Sequence, residues 1–384
     1  MQLSHMLNIG LVAAMISFAM CGLIVCSQRW HGKHTHDHDL DGVQKFHTTA
    51  VPRIGGFAVI TGIFGALLFF NLVYPGQIAA LTASSVMALL IASLPAFVAG
   101  ITEDLTKKVS VKVRLAATIL SALIASALLG ATLDELDIWG IDSLLAFMPI
   151  ALVVTAVVVA GGANAINIID GFNGLSSSVI VIMSAALGFI AWQAADVFVA
   201  TLAVLSIGVA VGFLLLNYPT GKLFLGDGGA YFLGFWVSEI AVLLLVRNPS
   251  VNAWQVLSIC GYPVIEVLFS MYRRKILKNV NAGAPDGLHL HTLVYRRVAT
   301  KLMRYDAALA WRRNAAVARI IVPWIGVMAL LSVFVGNTIL GGMVLVMVQV
   351  LLYVVIYARL VRGRWRRSRT TNDAADTDVS AELP

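Results

Sequence analysis

The chain has 384 residues, of which 59% are hydrophobic and only 12% charged, with a formal net charge of +7. Soluble domains carry about a quarter of charged residues, so this composition excludes a water-soluble globular protein. The positive excess is broken into short clusters between apolar runs, which excludes a nucleic-acid-binding stripe, and Cys21, Cys26 and Cys260 all lie inside apolar runs, which excludes a disulfide framework.

Apolar stretches of the roughly 20 residues needed to cross about 30 Å of hydrocarbon recur along the chain. In order they are expected at 6–27, 54–73, 80–101, 114–131, 145–163, 174–194, 197–217, 229–246, 253–272, 317–336 and 339–360. The first has no preceding basic residue and no small-residue cleavage site, and is read as an uncleaved anchor. No internal repeat is evident. The expected fold is an all-α polytopic membrane protein of about eleven transmembrane helices. Residues 1–362 are expected to form a single membrane-embedded domain with its chemistry in cytoplasmic loops, and 363–384 a basic and then acidic disordered cytoplasmic tail.

The positive-inside rule orients these spans. Loops 28–53, 102–113, 164–173, 218–228 and 273–316, with the tail and the adjoining helix ends, hold 26 of the 27 Lys and Arg, and the other face holds only Arg247. The N-terminus is therefore expected outside, in the periplasm, and the C-terminus in the cytoplasm.

Four polar clusters fall on the basic face. Asn164-Ala-Ile-Asn167-Ile-Ile-Asp170-Gly-Phe-Asn173 joins the fifth and sixth spans. Asn164 and Asn167 share one face of a helix end, with Asp170 a turn further on. Amides and one carboxylate at a water boundary suit a sugar or nucleotide near a metal, although a polar cap would have the same composition. Asp227 stands in Leu225-Gly-Asp-Gly-Gly229 at a helix start, where glycines admit a close ligand and the N-terminus favours anions. A carboxylate there could hold Mg²⁺ against a diphosphate, since Mg²⁺ takes one or two protein carboxylates plus phosphate oxygens and water.

Glu103-Asp104, with Lys107 and Lys108 behind, leaves the third span as either a tuned acidic pair or a solvated helix end. Pro285-Asp-Gly-Leu-His289-Leu-His291, followed by Arg296 and Arg297, could bind phosphate and move a proton. Lys45, His47 and the segment Pro52-Arg53-Ile54-Gly55-Gly56 make a further anion-friendly helix start. Upstream, His31, His34, His36 and His38 alternate with Asp37, Asp39 and Asp41 and read as a solvated polar linker. Two acids, Glu239 and Glu266, lie within expected spans, where charge is costly. Glu266 is placed to brace the site, and Glu239 has no role that the sequence suggests.

These elements, in this order and on one face, resemble the polyprenyl-phosphate N-acetylhexosamine-1-phosphate transferases, glycosyltransferase family 4, from about Lys45 to Arg297. The resemblance implies a Mg²⁺-dependent enzyme (Mn²⁺ an alternative) of a bacterial inner membrane. Such an enzyme transfers a sugar 1-phosphate from a UDP-amino sugar to a polyprenyl phosphate such as undecaprenyl phosphate, releases UMP, and starts O-antigen or similar surface glycans. By position it assigns Asp227 to the metal and Asp104, Glu103 and Asp170 to catalysis. It assigns Lys45, His47, Asn164, Asn167, His289 and His291 to substrate, and Asn173, Arg296 and Arg297 beside these motifs are expected to bind substrate with them.

Three departures stand out. Glu103 replaces the first Asp of the usual pair, Asn173 stands where many relatives have Asp, and His289-Leu-His-Thr replaces a longer histidine run. The last favours the WecA-like branch over the peptidoglycan MraY branch. The resemblance also implies a homodimer, while the scatter of the basic clusters leaves no nucleic acid among the expected partners. A secondary transporter, for which repeated halves would be expected, and an inactive relative are the competing readings.

Overall fold

In the computed structural model, residues 3–37, 50–74, 80–277, 286–303, 306 and 309–362 are described. Among them ten helices are long and apolar enough to cross a membrane, or eleven when one bent pair of helices is counted as a single span. The long helices are α1 (Leu3–Thr35), α2 (Gly55–Val73), α3 (Ala80–Thr106), α4 (Val111–Leu129), α6 (Met148–Ile169), α7 (Leu175–Gln193), α8 (Val197–Asn217), α9 (Gly226–Arg247), α14 (Trp311–Phe334) and α15 (Ile339–Val361). Between them lie α5 (Ile141–Leu145), α10 (Ala253–Ile259), α11 (Gly261–Tyr272), α12 (Leu290–Val294) and α13 (Thr300–Leu302), with π-helical turns at Arg273–Leu277 and Tyr295–Ala299. The chain is an all-α polytopic membrane protein, and the residues expected in its tail, 363–384, lie outside the described ones.

One expected span differs. The stretch 253–272 is not one straight helix: α10 and α11 meet at 82°. Hydropathy cannot distinguish a broken apolar run from an unbroken one. Pro263 supplies the local cause, since it has no N–H for the carbonyl of Ile259.

The outer helices carry large apolar side chains on their open faces, among them Leu72 at 70%, Leu340 at 72% and Met347 at 67% exposure. Only a hydrocarbon solvent accommodates such a surface, because lipid exacts no penalty for exposed Leu or Met. The interior is organised on α9. Tyr231, Phe232, Phe235, Trp236 and Ile240 are all buried, and α9 packs on α2, α3, α4, α6, α7 and α8. The Trp236 indole N–H finds the Leu202 carbonyl at 3.2 Å, so even this core residue leaves no unpaired donor. Both oxygens of Glu239 on the same helix are buried and have no partner among the described residues, and nothing in the structure explains them.

Helix ends gather at two poles. One pole holds the α6–α7 and α8–α9 turns, the start of α2 and the end of α3, stitched by backbone hydrogen bonds such as Gly55 N–H to Phe224 O at 3.0 Å. At the other, Asp196 caps α8 through the Val199 N–H and accepts from Arg247 Nε at 2.7 Å and Asn248 Nδ2 at 3.2 Å. Burial works to raise the Asp196 carboxyl, but the Arg247 contacts and these other donors together hold it below its ordinary value.

Candidate active site

The first turn of a helix has N–H groups with no intrahelical acceptor, and α9 has no side-chain cap of its own. Asp104 supplies one from the end of α3. Its Oδ1 accepts from the Asp227 N–H at 2.9 Å and its Oδ2 from the Gly228 N–H at 2.8 Å. Gly226, at φ +73°, is what lets the two elements meet. A Cβ there would lie 2.1 Å from the Arg53 carbonyl oxygen and 2.5 Å from Asp104 Oδ2.

The segment 50–56 is held on both sides. Phe224 N–H donates to Pro52 O at 2.9 Å and Arg53 N–H to Thr35 O at 2.9 Å. This aims the Arg53 guanidinium between three carboxylates: Nη2 is 3.3 Å from both Asp104 Oδ1 and Asp227 Oδ1, and Nη1 is 3.4 Å from Asp37 Oδ2. Arg114, on the first turn of α4, pairs with Asp227 Oδ2 and lies over the Tyr231 ring, 5.6 Å from its centroid. Asn167 Nδ2 donates to Asp227 Oδ1 at 3.2 Å, and the Tyr231 hydroxyl to Asn164 Oδ1 at 3.1 Å. The structure thus gathers Asp104, Asn164, Asn167 and Asp227 around one point, with Arg53, Arg114 and Tyr231.

Asp170, at the C-terminal end of α6, accepts from the Ser176 hydroxyl. Burial pushes its carboxyl up to about 7, against the opposing pull of that hydroxyl and of Arg53. Asn173 is committed elsewhere. Its N–H donates to Asn314 Oδ1 at 2.7 Å and its Nδ2 to Pro219 O at 2.9 Å, so it ties the α6–α7 turn to the α8–α9 turn. Glu103 likewise points to the α3–α4 turn, where Oε2 accepts from the Val109 N–H at 2.7 Å.

The two histidines stand on a buried carboxylate. Glu266 takes His289 Nδ1 at 2.9 Å and the Leu290 N–H at 3.1 Å, and lies 3.7 Å from His291 Nδ1. The rings stack with centroids 5.2 Å apart, and Phe172 from the α6–α7 turn meets His291 edge-on at 5.7 Å. Burial lowers the His291 pKa, only partly offset by Glu266. Asp286 accepts from Ser270 Oγ at 2.7 Å and pairs with Arg273. Burial works to raise its carboxyl, but the Ser270 hydroxyl, His289 and Arg273 together hold it below the usual range. Arg296 and Arg297 follow on the π-turn, the first exposed and the second half-buried.

Lys45 and His47, with His38, Asp39, Asp41 and Pro285, lie outside the described residues. The linker expected upstream is helical as far as Thr35, and His31 bonds the Ile24 carbonyl at 3.0 Å and Thr35 Oγ1 at 2.7 Å. Asp37 beyond it is buried beside Arg53.

A cavity of about 1060 Å³ opens from this cluster. Arg114, Asn164, Asn167, Tyr231, Arg274 and His289 line its polar end. It then runs between α4, α6, α9 and the bent α10–α11 pair, past Val157, Leu257 and Val264, to Leu133, Leu136, Leu245 and Trp254 towards the opposite pole. Beyond that polar end its lining is overwhelmingly apolar.

Residues 86–245 match glycosyl transferase family 4. That match spans the residues from α3 to α9 that carry Asp104, Asn164, Asn167 and Asp227. Among similar proteins, the probable undecaprenyl-phosphate N-acetylglucosaminyl 1-phosphate transferase of Bacillus subtilis (strain 168) is 27% identical over 65% of this chain and 66% of its own length. The undecaprenyl-phosphate alpha-N-acetylglucosaminyl 1-phosphate transferase of Thermotoga maritima is 28% identical over 74% of this chain and 80% of its own. A phospho-N-acetylmuramoyl-pentapeptide-transferase of Levilactobacillus brevis reaches 38% identity, but over only 22% of this chain and 26% of its own.

The donors present suit the divalent metal that the family-4 resemblance implies. Among the described residues no three His, Cys, Asp or Glu gather as a cage. What the site offers is one accessible carboxylate, Asp227, with amide oxygens nearby, and two guanidinium groups already converge on it as cations would. Mg²⁺ completes such a shell with water and substrate phosphates.

Proposed function

We propose that this protein transfers N-acetylhexosamine 1-phosphate, with N-acetylglucosamine as the first candidate sugar, from its UDP derivative to undecaprenyl phosphate, releasing UMP. The observation that carries this reading is the junction of an arginine-, carboxylate- and amide-rich cluster with a long apolar cavity. One end suits a diphosphate, and the other a polyprenyl chain. The similar proteins support it, since those from Bacillus subtilis and Thermotoga maritima bear that activity in their names.

In this reading the polyprenyl tail lies along Val157, Leu257, Val264 and Leu133, with its phosphate at Arg114, Asn164 and His289. An oxygen of that phosphate attacks the β-phosphorus of the nucleotide sugar, a new P–O bond forms, and the bond to the bridging oxygen breaks to leave UMP. A phosphate monoester has a second pKa near 6, so the attacking oxygen is already largely ionised and needs no strong base. Asp170, with a carboxyl near neutrality, takes the remaining proton where one is present. Mg²⁺ held by Asp227 supplies charge neutralisation on the diphosphate. Asp104 sets the Asp227 carboxylate by holding the α9 N-terminus, and Arg53 and Arg114 pass from Asp227 to the phosphates as these arrive. Arg296 and Arg297, with Lys45 and His47, are assigned to the outer phosphate contacts.

The cluster is read as facing the cytoplasm of a bacterial inner membrane, where nucleotide sugars are made, and the product as the first lipid-linked sugar of O-antigen or a similar envelope polymer. A homodimer is part of the same proposal. The test is UMP release by purified protein with undecaprenyl phosphate and UDP-N-acetylglucosamine, with and without a chelator. Release that needs both lipid and Mg²⁺, and that is lost in Asp227→Ala, is expected. Release without lipid, or unchanged in that variant, overturns the reading.

A further inference from the structure

Glutamine is a poor choice for the middle of a membrane helix unless its amide is engaged, because hydrocarbon offers nothing to bond it. Gln349 lies within α15 and is buried, 2% exposed. Its Nε2 donates to the Ser258 carbonyl at 2.8 Å, in the last turn of α10 just before the bend. On the other side of the bend, a Cβ on Gly261 would lie 2.3 Å from Gln349 Oε1 and 2.8 Å from its Cδ. The amide therefore occupies the space that the glycine leaves open, and touches both arms of the broken span. The same arm is tied to α14 by the Ser258 hydroxyl, which donates to Ser332 Oγ at 2.5 Å, and by Gln255 Nε2, which donates to Ser332 O at 3.0 Å.

The bend matters to two things at once. Leu257, Cys260, Pro263, Val264, Val267 and Leu268, from both arms, line the apolar cavity. Glu266, on α11 beyond the bend, is the carboxylate on which His289 and the Leu290 N–H stand. A change in the angle between the arms moves the cavity wall and the histidine platform together.

We propose that Gln349 is a positioning residue for the transfer reaction. Its amide, seated against Gly261, fixes the bend between α10 and α11 and so the wall along which the polyprenyl chain lies. This rests on the transferase reading above. Gln349→Met keeps the volume and removes the donor. Gly261→Ala keeps the glutamine and displaces its amide. Both variants break one contact, so their effects should not add.

The experiment measures KM for undecaprenyl phosphate and for UDP-N-acetylglucosamine, by UMP release in detergent, in both single variants and the double, with thermal unfolding alongside. Loss of one buried hydrogen bond predicts a lipid KM raised about five- to tenfold in each single variant, with the nucleotide-sugar KM unchanged. The double variant should be no worse than the worse single. An unchanged lipid KM, an equal rise in both KM values, or additive losses in the double overturns the proposal.

If the wild type releases no UMP with any donor, the transferase reading fails, and amide hydrogen exchange at 258–266 then decides on the latch. Faster exchange there in either single variant than in the wild type upholds the part played by Gln349, and equal exchange overturns it.

Discussion

Asp104→Asn keeps the shape of the side chain but turns one of its two acceptor oxygens into an NH₂ group. Both oxygens are in use, one on the Asp227 N–H and one on the Gly228 N–H, so either orientation of the amide sets a donor against a backbone donor. The variant loses one charge-assisted hydrogen bond and leaves one buried N–H unpaired, which together cost about 3 kcal/mol. Arg53 also loses one of the carboxylates between which it is held. The α9 N-terminus then settles in a different position, taking Asp227 with it, and a displacement of about 1 Å at a reacting centre lowers turnover about 10²-fold. The assay is UMP release across a Mg²⁺ titration, with thermal unfolding on the same preparations. Turnover should fall by about that factor, the Mg²⁺ concentration for half-maximal rate should rise, and the unfolding temperature should drop. Wild-type turnover and wild-type unfolding in this variant would refute the capping role of Asp104.

Glu103→Asp should retain turnover while losing about 1 kcal/mol of stability, because the shorter carboxylate no longer reaches the Val109 N–H; a large fall in UMP release with unchanged unfolding would contradict this. Asn173→Asp places an oxygen where Nδ2 now donates to Pro219 O, and should lower stability by about 1–3 kcal/mol in a thermal melt; a neutral or stabilising outcome would count against the clamp between the turns. Asp170 is a carboxyl whose folded pKa, about 7, lies above its ordinary value of 3.8. Its contribution to stability is therefore fully present below pH 3.8 and is lost as pH rises through 7. In chelator, Asp170→Asn should flatten the fall in unfolding temperature between those limits, and identical pH profiles would remove the assignment.

Much of the fold was legible because a helix in lipid must be long and apolar, and ten spans show that directly in their residue runs. The break at Cys260 was not, because Gly261 and Pro263 are ordinary within membrane helices and the residue that exploits them, Gln349, is far away in sequence. In the site, Asp227 and the asparagine pair announce themselves by glycines and spacing. Arg114 does not: it reads as one more basic residue at a helix start, and only the packing of α4 on α9 sets it over Tyr231. Arg53 was visible as part of an anion-friendly segment, but its aim depends on Phe224 and Thr35, which no local pattern links to it. Asn173 and Glu103 sit among functional-looking neighbours, yet their side chains hold turns together. Sequence adjacency cannot separate the two duties.

A helix sheathed by other helices meets almost no lipid, and α9 is such a helix from Gly226 to Leu244. When a bilayer thickens or thins, the strain of hydrophobic mismatch falls on segments with lipid against them, which tilt or bend to absorb it. Here those are peripheral rods such as α4 and α15, most of whose surface is open. The carboxylate at the head of α9 thus rides on the part of the molecule least coupled to the mechanical state of its membrane. Asp227 itself is held steady in this way, and the contacts a changing bilayer would move are those reaching inward from the outer rods, Arg114 on α4 and Gln349 on α15.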